Sequence, residues 1–361
     1  MKKHATIPAG GATVGMDLGD KYHHVCVLDA DARKIAQTRI AATPQSLDEA
    51  FAGLPALTVA IEAGTHSPWV SQRLEALGHH VLVGNPRKLR MISRNDRKSD
   101  VRDAELLARI ARADPHLLYP IHHRGPQAQA HRAVLKSRDA LVRMRTLLVN
   151  HARGLVKASG ARLPSCSAQA FHKRVRDVVP EALRPALGPV LATIEDLTQR
   201  IRGMDHQIEA LCEEAYPETQ TLRTIHGVGI ITALAFVLTL EEPERFARSR
   251  DVAVYLGLAP RRDQSGKSDK QLRISKAGDK FLRRLLISCA HYILGAHGAD
   301  SDLRQWGLQL CARGGKNGRK RAVTAVARKL AVHMHALWVS GEIYEPLRKN
   351  TETQEGKSRV A

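Results

Sequence analysis

Four carboxylates in the first 103 residues have the type and the surroundings expected of a metal-dependent nuclease site: Asp17, Glu62, Asp100 and Asp103. Asp17 lies within one short apolar run and Glu62 ends another, so each is predicted to belong to a buried strand. Asp100 and Asp103 open a helical pattern, and a spacing of three places them on one helical face. Buried acids are costly unless a partner neutralises them, so the set predicts a bound divalent cation.

Four carboxylates can hold two Mg²⁺ ions, because carboxylate oxygens are the hard ligands that Mg²⁺ prefers. Paired metals stabilise both the attacking and the leaving oxygen in phosphoryl transfer. A plainer interpretation is open for two of the acids, with Asp100 as a helix N-cap and Asp103 as a first-turn acid favoured by the helix dipole. It does not explain Asp17 inside an apolar strand, and the metal site is therefore favoured for the set.

A second segment rich in potential chemistry runs from Pro260 to Ala290, with nine Lys or Arg and only three Asp. Its pattern indicates a flexible, cationic loop around Ser265–Gly266. A serine there could attack a phosphodiester while arginines stabilise the charge that develops. The alternative is a solvated basic loop that only grips phosphate, and composition alone favours this alternative. Residues Leu303 to Gly341 add eight Lys or Arg and no acid, which predicts a phosphate-binding face in either case.

The net charge of +20 indicates a polyanionic partner, most simply nucleic acid. The cations predicted to bind it are Arg261, Arg262, Lys267, Arg273, Lys276, Arg283, Arg313, Lys316, Arg319 and Lys320. A membrane partner is disfavoured, because no apolar run approaches the roughly 20 residues of a spanning helix. The five cysteines are scattered without a C-x-x-C pair, which argues against a zinc site and fits a reducing cytoplasm. Adjacent histidines such as His23–His24 are not expected to share a metal site, because neighbours rarely point to one place.

Residues 13 to 113 alternate between strand and helix patterns. Val14–Leu18 and Val25–Leu28 predict a hairpin, and Leu57–Glu62 and His80–Gly84 predict two further strands. Helices are predicted over Pro68–Leu77 and Asp100–Arg112. This is an α/β domain built on a hairpin followed by strand–helix units.

The strand signals end near Gly125. Leucines and isoleucines then recur at helical spacing up to Glu214 and predict two long helices, which form either a plain spacer or a coiled-coil arm that dimerises. Residues 221 to 348 are predicted to be mostly helical. Within them, Ile225–Ile230 is a glycine-containing turn that leads into a helix, where it either offers N–H groups to a phosphate or allows close helix packing.

The motifs together resemble one family, the insertion-sequence 110 transposases, over nearly the full length of the chain. The N-terminal motifs that carry the resemblance are Gly15–Asp17, Ile61–Thr65, Asn85–Pro86 and Lys98–Ala104. The C-terminal motifs are Ile225–Gly229, Phe246–Ala247, Tyr255–Arg261, Gln264–Gly266, Arg273–Gly278 and Leu282–Leu286.

The resemblance implies a RuvC-like (RNase H-like) nuclease domain over residues 1–124, with Asp17, Glu62, Asp100 and Asp103 as its acids. It also implies a helical, coiled-coil-like linker over 125–215 and a mostly α transposase domain over 216–348 with a catalytic serine; residues 349–361 are expected to be a disordered tail. The motif assigns the serine as Ser265, while Ser268 and Ser275 are near enough in sequence to remain alternatives.

The expected activity is that of a DNA recombinase that mobilises an insertion sequence in the bacterial cytoplasm, associated with the nucleoid. Mg²⁺ held by the acids would organise the scissile phosphate, and Ser265 would form a covalent phosphoserine intermediate. The alternatives are a RuvC-like resolvase that uses metal-activated water and a non-catalytic nucleic-acid-binding protein. The expected partners are donor and target DNA, further copies of the chain in a dimer or tetramer, and a structured guide RNA. The resemblance implies the guide RNA, and the absence of a clear base-reading motif in the sequence favours it.

Overall fold

The structure is a computed structural model that describes residues 11–89, 99–266, 268–315 and 317–348. Lys98, Lys267, Lys316 and the tail predicted to be disordered therefore lie outside the described residues. The chain divides into two compact units, and the division falls between Arg124 and Gly125.

The first unit contains a five-stranded mixed sheet. Its strands are β1 (Thr13–Leu18), β2 (Tyr22–Leu28), β3 (Lys34–Ala41), β4 (Thr58–Glu62) and β5 (His80–Gly84). They lie in the order β3-β2-β1-β4-β5. The first three strands pair antiparallel, whereas β4 pairs parallel to both β1 and β5. The hairpin and the two later strands predicted from sequence are confirmed.

Helices cover both faces of this sheet. Helices α1 (Pro44–Phe51) and α2 (Ser67–Ala76) pack on one face, where Val14, Val59 and Leu74 belong to a common apolar core. Helix α3 (Asp100–Ala113) packs on the other face through its alanines and Leu107. Because parallel strands connected by helices must be covered on both sides, this layering follows from the β4–α2–β5 unit.

Sequence reasoning missed β3 and α1. The strand β3 carries Lys34, Gln37 and Arg39 and stays half-buried to exposed along its length. No period-two pattern marks such an edge strand, and its hydrogen bonds to β2 alone define it. Helix α1 has only Leu47 and Phe51 buried, and Thr43 caps it by accepting a hydrogen bond from the Ser46 N–H.

The second unit begins with two long helices, α4 (Pro126–Ala158) and α6 (Arg184–Ala215), joined through a short helix, α5 (Phe171–Val175). The predicted pair of long helices is confirmed. At about 1.5 Å per residue, α4 is about 50 Å long. The two long helices pack against each other, and one end of the pair has its own apolar cluster around Phe171.

The rest of this unit is mostly helical, as expected. Its elements are α7 (Glu218–Arg223), α8 (Ile230–Leu240), α9 (Ser249–Tyr255), β6 (Pro260–Ser265), β7 (Ser268–Ile274), α10 (Lys280–Ile293), α11 (Asp302–Ala312) and α12 (Gly318–Ser340). Helix α8 is buried along almost its whole length in the core of this region. Leu135 of α4 and Ile208 of α6 belong to the same core, so the long helices are anchored in it.

The prediction that Ser265 itself lies within a loop is wrong. Ser265 ends β6, and β6 and β7 form an antiparallel hairpin in which Ser265 pairs with Ser268. β6 is polar on both faces, and in β7 only Leu272 and Ile274 alternate with polar residues, so the sequence gives too little apolar alternation to reveal the two strands. A two-pronged ion pair from Arg262 to Asp269, at 2.9 and 2.7 Å, crosses the hairpin and helps to hold it.

Candidate active site

Three polar side chains lie in a row across the central strands of the sheet. Asp17 of β1 is paired directly with His24 of β2. On the other side of β1, the parallel register pairs Met16 with Ile61, and Asp17 and Glu62 are the next residues of those two strands. Residues at equivalent positions of neighbouring strands share a face of the sheet. The strand register therefore brings His24, Asp17 and Glu62 together.

This row lies on the face that α3 covers. Gly15, two residues before Asp17, contacts the backbone of α3 so closely that an added Cβ would be 2.0 Å from the Ala104 carbonyl oxygen. Because side chains two apart on a strand point the same way, Asp17 faces the same helix nearer to its N-terminal end. The glycine thus allows the helix to approach the acid.

Polar contacts anchor α3 at this position. Lys34 of β3 contacts Glu105 at 3.0 Å, and Arg109 donates to the same carboxylate at 2.8 Å. These two hydrogen bonds hold the pKa of Glu105 below its usual value. Gln37 donates to the Val101 carbonyl at 3.1 Å, which holds the first turn of the helix against β3.

The two helical acids lie on that first turn. Ser99 is the N-cap residue and Asp100 is the first helical residue, so the interpretation of Asp100 as an N-cap is wrong. Asp103 is 4% exposed, whereas the Asp100 side chain is 63% exposed. The Asp100 carboxylate lies 3.6 Å from Nε2 of His24, at ion-pair distance. The first turn therefore presents one buried and one accessible carboxylate beside the row of polar residues on the sheet.

The four acids interact electrostatically. Burial raises the pKa of Asp17, and the charges of Asp100, Asp103 and Glu62 raise it further, to about 6. His24 acts in the opposite direction and lowers it. Asp17 is thus the acid at which the effects of the other three converge.

The four acids offer only carboxylate oxygens, which are the ligand type that a hard divalent cation prefers. Within the described ranges, however, no three or more His, Cys, Asp or Glu side chains are arranged so that they could hold a metal ion. The backbone brings the four acids to one place, and the side chains do not enclose an ion. Side-chain rotation, above all of the exposed Asp100, would be needed to close the set.

Sequence reasoning set the histidine pair His23–His24 aside, yet the two residues differ. Strand alternation places His23 on the opposite face of the sheet, where it is fully buried against the rings of His66 and Trp69. Burial and the charge of His66 lower the pKa of His23 to about 4. His24 instead joins the acids. His24 could have been identified from the alternation of side chains along β2, but only once the pairing of β2 with β1 is known.

The second candidate centre is the end of the β6–β7 hairpin. Ser265 and Ser268 are exposed and face each other across the turn. Ser275 is different, because its N–H donates to the Ala259 carbonyl at 2.9 Å and its Oγ accepts from the Ala277 N–H at 3.3 Å. Added Cβ atoms at Gly257 and Gly278 would lie 2.2 and 2.1 Å from backbone oxygens in this turn. Ser275 thus belongs to a tightly packed structural turn.

The predicted nucleic-acid-binding cations fall into three groups. Those with exposed side chains are Arg261, Arg262, Arg273, Lys276, Arg313, Arg319 and Lys320. Arg283 is half-buried and donates to the carbonyls of Leu256 and Ala277, at 3.0 and 2.6 Å, so part of its guanidinium is engaged within the fold. Lys267 and Lys316 lie outside the described residues.

The glycine-containing turn at Ile225–Ile230 leads into α8, as predicted. Gly227 has a φ of 96°, and an added Cβ would lie 3.0 Å from the Tyr292 ring. Gly229, the N-cap residue of α8, is exposed and has open space around it. Close packing thus accounts for the first glycine and leaves the second available to a ligand.

Comparison with known proteins connects both centres to transposases. Residues 14–159 match a family model described as "Transposase", that of the DEDD transposases of the IS110 type. Residues 219–304 match a model described as "Transposase IS116/IS110/IS902 family". The first match spans the four acids, and the second spans the hairpin with Ser265.

Individual proteins align over most of the chain. The transposase for insertion sequence element IS1328 of Yersinia enterocolitica is 30% identical over 301 residues, which cover 81% of this chain and 87% of that protein. A probable family 20 transposase of Pseudomonas aeruginosa is 28% identical, covering 82% and 88%. The transposase for element IS1111A of Coxiella burnetii is 29% identical, covering 92% and 90%. No helix among the described residues is long and apolar enough to cross a membrane.

Proposed function

The chain belongs to the IS116/IS110/IS902 family of transposases, and from that membership we propose that it cuts and rejoins DNA through a phosphoserine intermediate that depends on Mg²⁺. The observation that carries the metal-dependent part is the convergence of Asp100, Asp103 and Glu62 on Asp17, whose pKa is raised to about 6 first by burial and then by the charges of these three acids. A cluster of acids that repel one another in the absence of a cation is suited to hold one.

Asp17, Glu62, Asp100 and Asp103 would hold two Mg²⁺ ions. When bound, the ions would polarise the scissile phosphate and stabilise the charge of the attacking and leaving oxygens. The sheet positions Asp17 and Glu62 rigidly, and the helical acids complete the set by rotation of their side chains. The N-terminal unit would thus be a nuclease domain of the RuvC-like type.

Ser265 would be the nucleophile. Its Oγ would form a bond to phosphorus as the bond from phosphorus to one deoxyribose oxygen breaks; the serine loses its hydroxyl proton and the leaving oxygen gains one. A second deoxyribose hydroxyl would then attack the phosphoserine and release the serine. Because each step exchanges one phosphodiester for another, rejoining needs no external energy source. The exposure of Ser265 and the structural role of Ser275 support this assignment.

The decisive experiment is a cleavage reaction stopped in denaturant. A DNA-linked peptide that contains Ser265 is expected in the presence of Mg²⁺, and neither Ser265→Ala nor Asp17→Ala protein should form it. Ser275→Ala is the control for the tight turn, and its adduct should still map to Ser265. An adduct at Ser268 would move the nucleophile across the hairpin.

A metal-dependent resolvase is the second candidate function. The observation that favours it is that all four acids belong to the first unit, whereas Ser265 belongs to the second, so that metal-activated water could attack the phosphate without the serine. The two functions differ in the fate of Ser265→Ala. Strand cleavage at the normal rate in that variant, without any covalent adduct, would establish the resolvase and refute the phosphoserine intermediate.

The active form is proposed to be a homo-oligomer, a dimer or tetramer, in which the acids of one protomer and Ser265 of another complete each site. The apolar side chains of Met144 and Leu147 on α4 support this, because they are 53% and 68% exposed on a long helix and would be covered by another copy. Mixing Asp17→Ala and Ser265→Ala proteins should restore activity. If each site is completed within one chain, mixed oligomers will stay inactive.

A structured guide RNA is proposed to supply target recognition. The exposed cations on the hairpin and on α12 suit contacts to the nucleic-acid backbone. Base pairing would then read the sequence, as in other RNA-guided systems. Protein purified from its native host should carry a defined RNA, and a changed guide loop should redirect insertion. Site-specific recombination by nuclease-treated, RNA-free protein would refute this proposal.

A further inference from the structure

The β6–β7 hairpin forms a two-stranded sheet of its own and is exposed on both of its faces. Residues Arg261–Ser265 of β6 and Ser268–Lys270 of β7 are exposed along their whole length. A two-stranded hairpin that stands alone is marginally stable at best in water. At least one face of this hairpin is therefore expected to be covered by a partner when the protein works.

The two faces of the hairpin carry different chemistry. Side chains alternate between the faces of a strand, and residues that pair directly share a face. One face carries both exposed serines with one acid and one cation: Asp263, Ser265, Ser268 and Lys270. The opposite face, which we call the Arg262 face, carries Arg262, Gln264 and Asp269. Arg262 is thus directed away from Ser265 and is not placed to stabilise charge at a phosphate that Ser265 attacks.

Asp269 fixes the orientation of the Arg262 guanidinium. Its two oxygens accept from Nε and Nη2 at 2.9 and 2.7 Å, so one edge of the planar group is occupied. The next edge, formed by Nη1 and Nη2, keeps two parallel N–H donors on a side chain that is 66% exposed. Two such donors match the O6 and N7 acceptors that guanine presents in the major groove.

The Arg262 face suits base edges better than phosphates. The carboxylate of Asp269 neutralises Arg262 and repels phosphate, whereas a hydrogen bond to a base requires no net charge. Gln264, exposed on the same face, is a residue type that reads adenine. The major groove of B-DNA is about 12 Å wide and admits a two-stranded ribbon, whereas side chains cannot read the narrow major groove of A-form RNA. Duplex DNA is therefore the partner that this face fits.

We propose that the Arg262 face docks in the major groove of duplex DNA, where Arg262 contacts a guanine and Asp269 is the positioning residue that holds the guanidinium. The inference rests on the DNA-binding part of the proposed function and does not depend on the phosphoserine intermediate. The contact specifies a single base, so it adds to recognition by a guide RNA and does not replace it.

The test is a selection of bound sequences from a library of randomised duplex DNA. Full-length wild-type protein is freed of nucleic acid by nuclease treatment and kept in a chelator, so that no strand is cut. Guanine should be enriched, and its exchange for adenine at the enriched position should weaken binding about 5- to 150-fold. Exchange for 7-deazaguanine, which pairs with cytosine and lacks N7, should also weaken binding.

Three variants separate base reading from charge. Arg262→Ala should abolish the preference for guanine. Lys270→Ala is the matched control, because it removes one cation from the opposite face, and it should leave the preference intact. Asp269→Asn should tighten binding to all duplexes, since it removes a negative charge, and yet reduce the preference for guanine. A purely structural role of Asp269 would not move these two quantities in opposite directions.

The inference is overturned if wild-type protein binds all duplexes alike, or if Arg262→Ala keeps the preference for guanine. It is also overturned if Arg262→Ala changes only the binding of a double-stranded RNA probe or only the oligomeric mass, since the face would then belong to RNA or to another copy. These outcomes leave the transposase function standing. If wild-type protein binds no duplex DNA at all, the DNA-binding part of the proposed function is refuted together with the inference.

Discussion

Replacement of Asp17 by asparagine should stabilise the metal-free protein. In the folded state, burial and the three neighbouring acids raise the pKa of Asp17 from 3.8 to about 6. A group with a raised folded-state pKa favours its protonated form on folding, so its ionised carboxylate opposes folding at neutral pH. Asparagine has nearly the same shape and no charge, and it removes this opposition.

The magnitude follows from the pKa difference. A change from 3.8 to about 6 corresponds to about 3 kcal/mol of unfolding free energy once the carboxylate is fully ionised, and solvent screening at this partly exposed side chain reduces the figure to about 1–2 kcal/mol. The wild-type protein should lose this stability as the pH rises from about 4 to about 6, and the loss should be complete at pH 7. Relative to wild type, Asp17→Asn should gain about 1–2 kcal/mol at pH 7 and nothing below pH 4. For a unit of this size, the gain corresponds to a rise in melting temperature on the order of 10 °C.

The assay is thermal unfolding of both proteins in a chelator at several pH values, with the transition of the N-terminal unit resolved. Asp31→Asn is the control, because Asp31 lies in the β2–β3 turn with its side chain 71% exposed and should change stability by no more than about 0.5 kcal/mol. The reasoning is refuted if Asp17→Asn is no more stable than wild type at pH 7, or if any gain is independent of pH. The first result would mean that neither burial nor the neighbouring acids oppose the ionisation of Asp17 in solution.

Three further outcomes are expected. Gly15→Ala should destabilise the N-terminal unit by at least about 3 kcal/mol in denaturant unfolding, because the new Cβ would lie 2.0 Å from the Ala104 carbonyl oxygen and force α3 away from the sheet. A loss of stability under about 1 kcal/mol would show that the helix moves easily. Gly154→Ala, at an exposed position near the C-terminal end of α4 with open space around it, should instead stabilise the second unit by about 0.5–1 kcal/mol. Any loss there would indicate that another copy packs on this face. Arg262→Ala should weaken DNA binding in a filter or gel assay and reduce the dependence of binding on salt, because it removes one cation from the hairpin. Unchanged binding would mean that the ion pair with Asp269 keeps Arg262 from contacting phosphate.

Local patterns in the amino-acid sequence are enough to predict the chemical types of the acid set and the elements that carry its members. Asp17 and Glu62 were predicted on apolar strands and Asp100 and Asp103 on the first turn of a helix, because short apolar runs and helical periodicity are local signals. The two long helices can be predicted in the same way, from the helical spacing of their leucines and isoleucines. The family motifs extended this prediction to Ser265, the acid set and the RNA partner, which remain predictions for this chain.

Which of the predicted site residues lie close together depends on the tertiary structure. The parallel pairing of β1 with β4 aligns Asp17 with Glu62, and a glycine at position 15 lets α3 approach closely; neither relation has a local signature. Because side chains alternate along a strand, His23 points into the core and His24 lies beside the acids. This difference can be recognised only when the partner strand is known. The hairpin that carries Ser265 was likewise not predicted, because β6 is polar on both faces and β7 contributes only Leu272 and Ile274 as apolar residues. Long-range pairing and backbone contact, rather than local composition, thus convert separate residues into a candidate site.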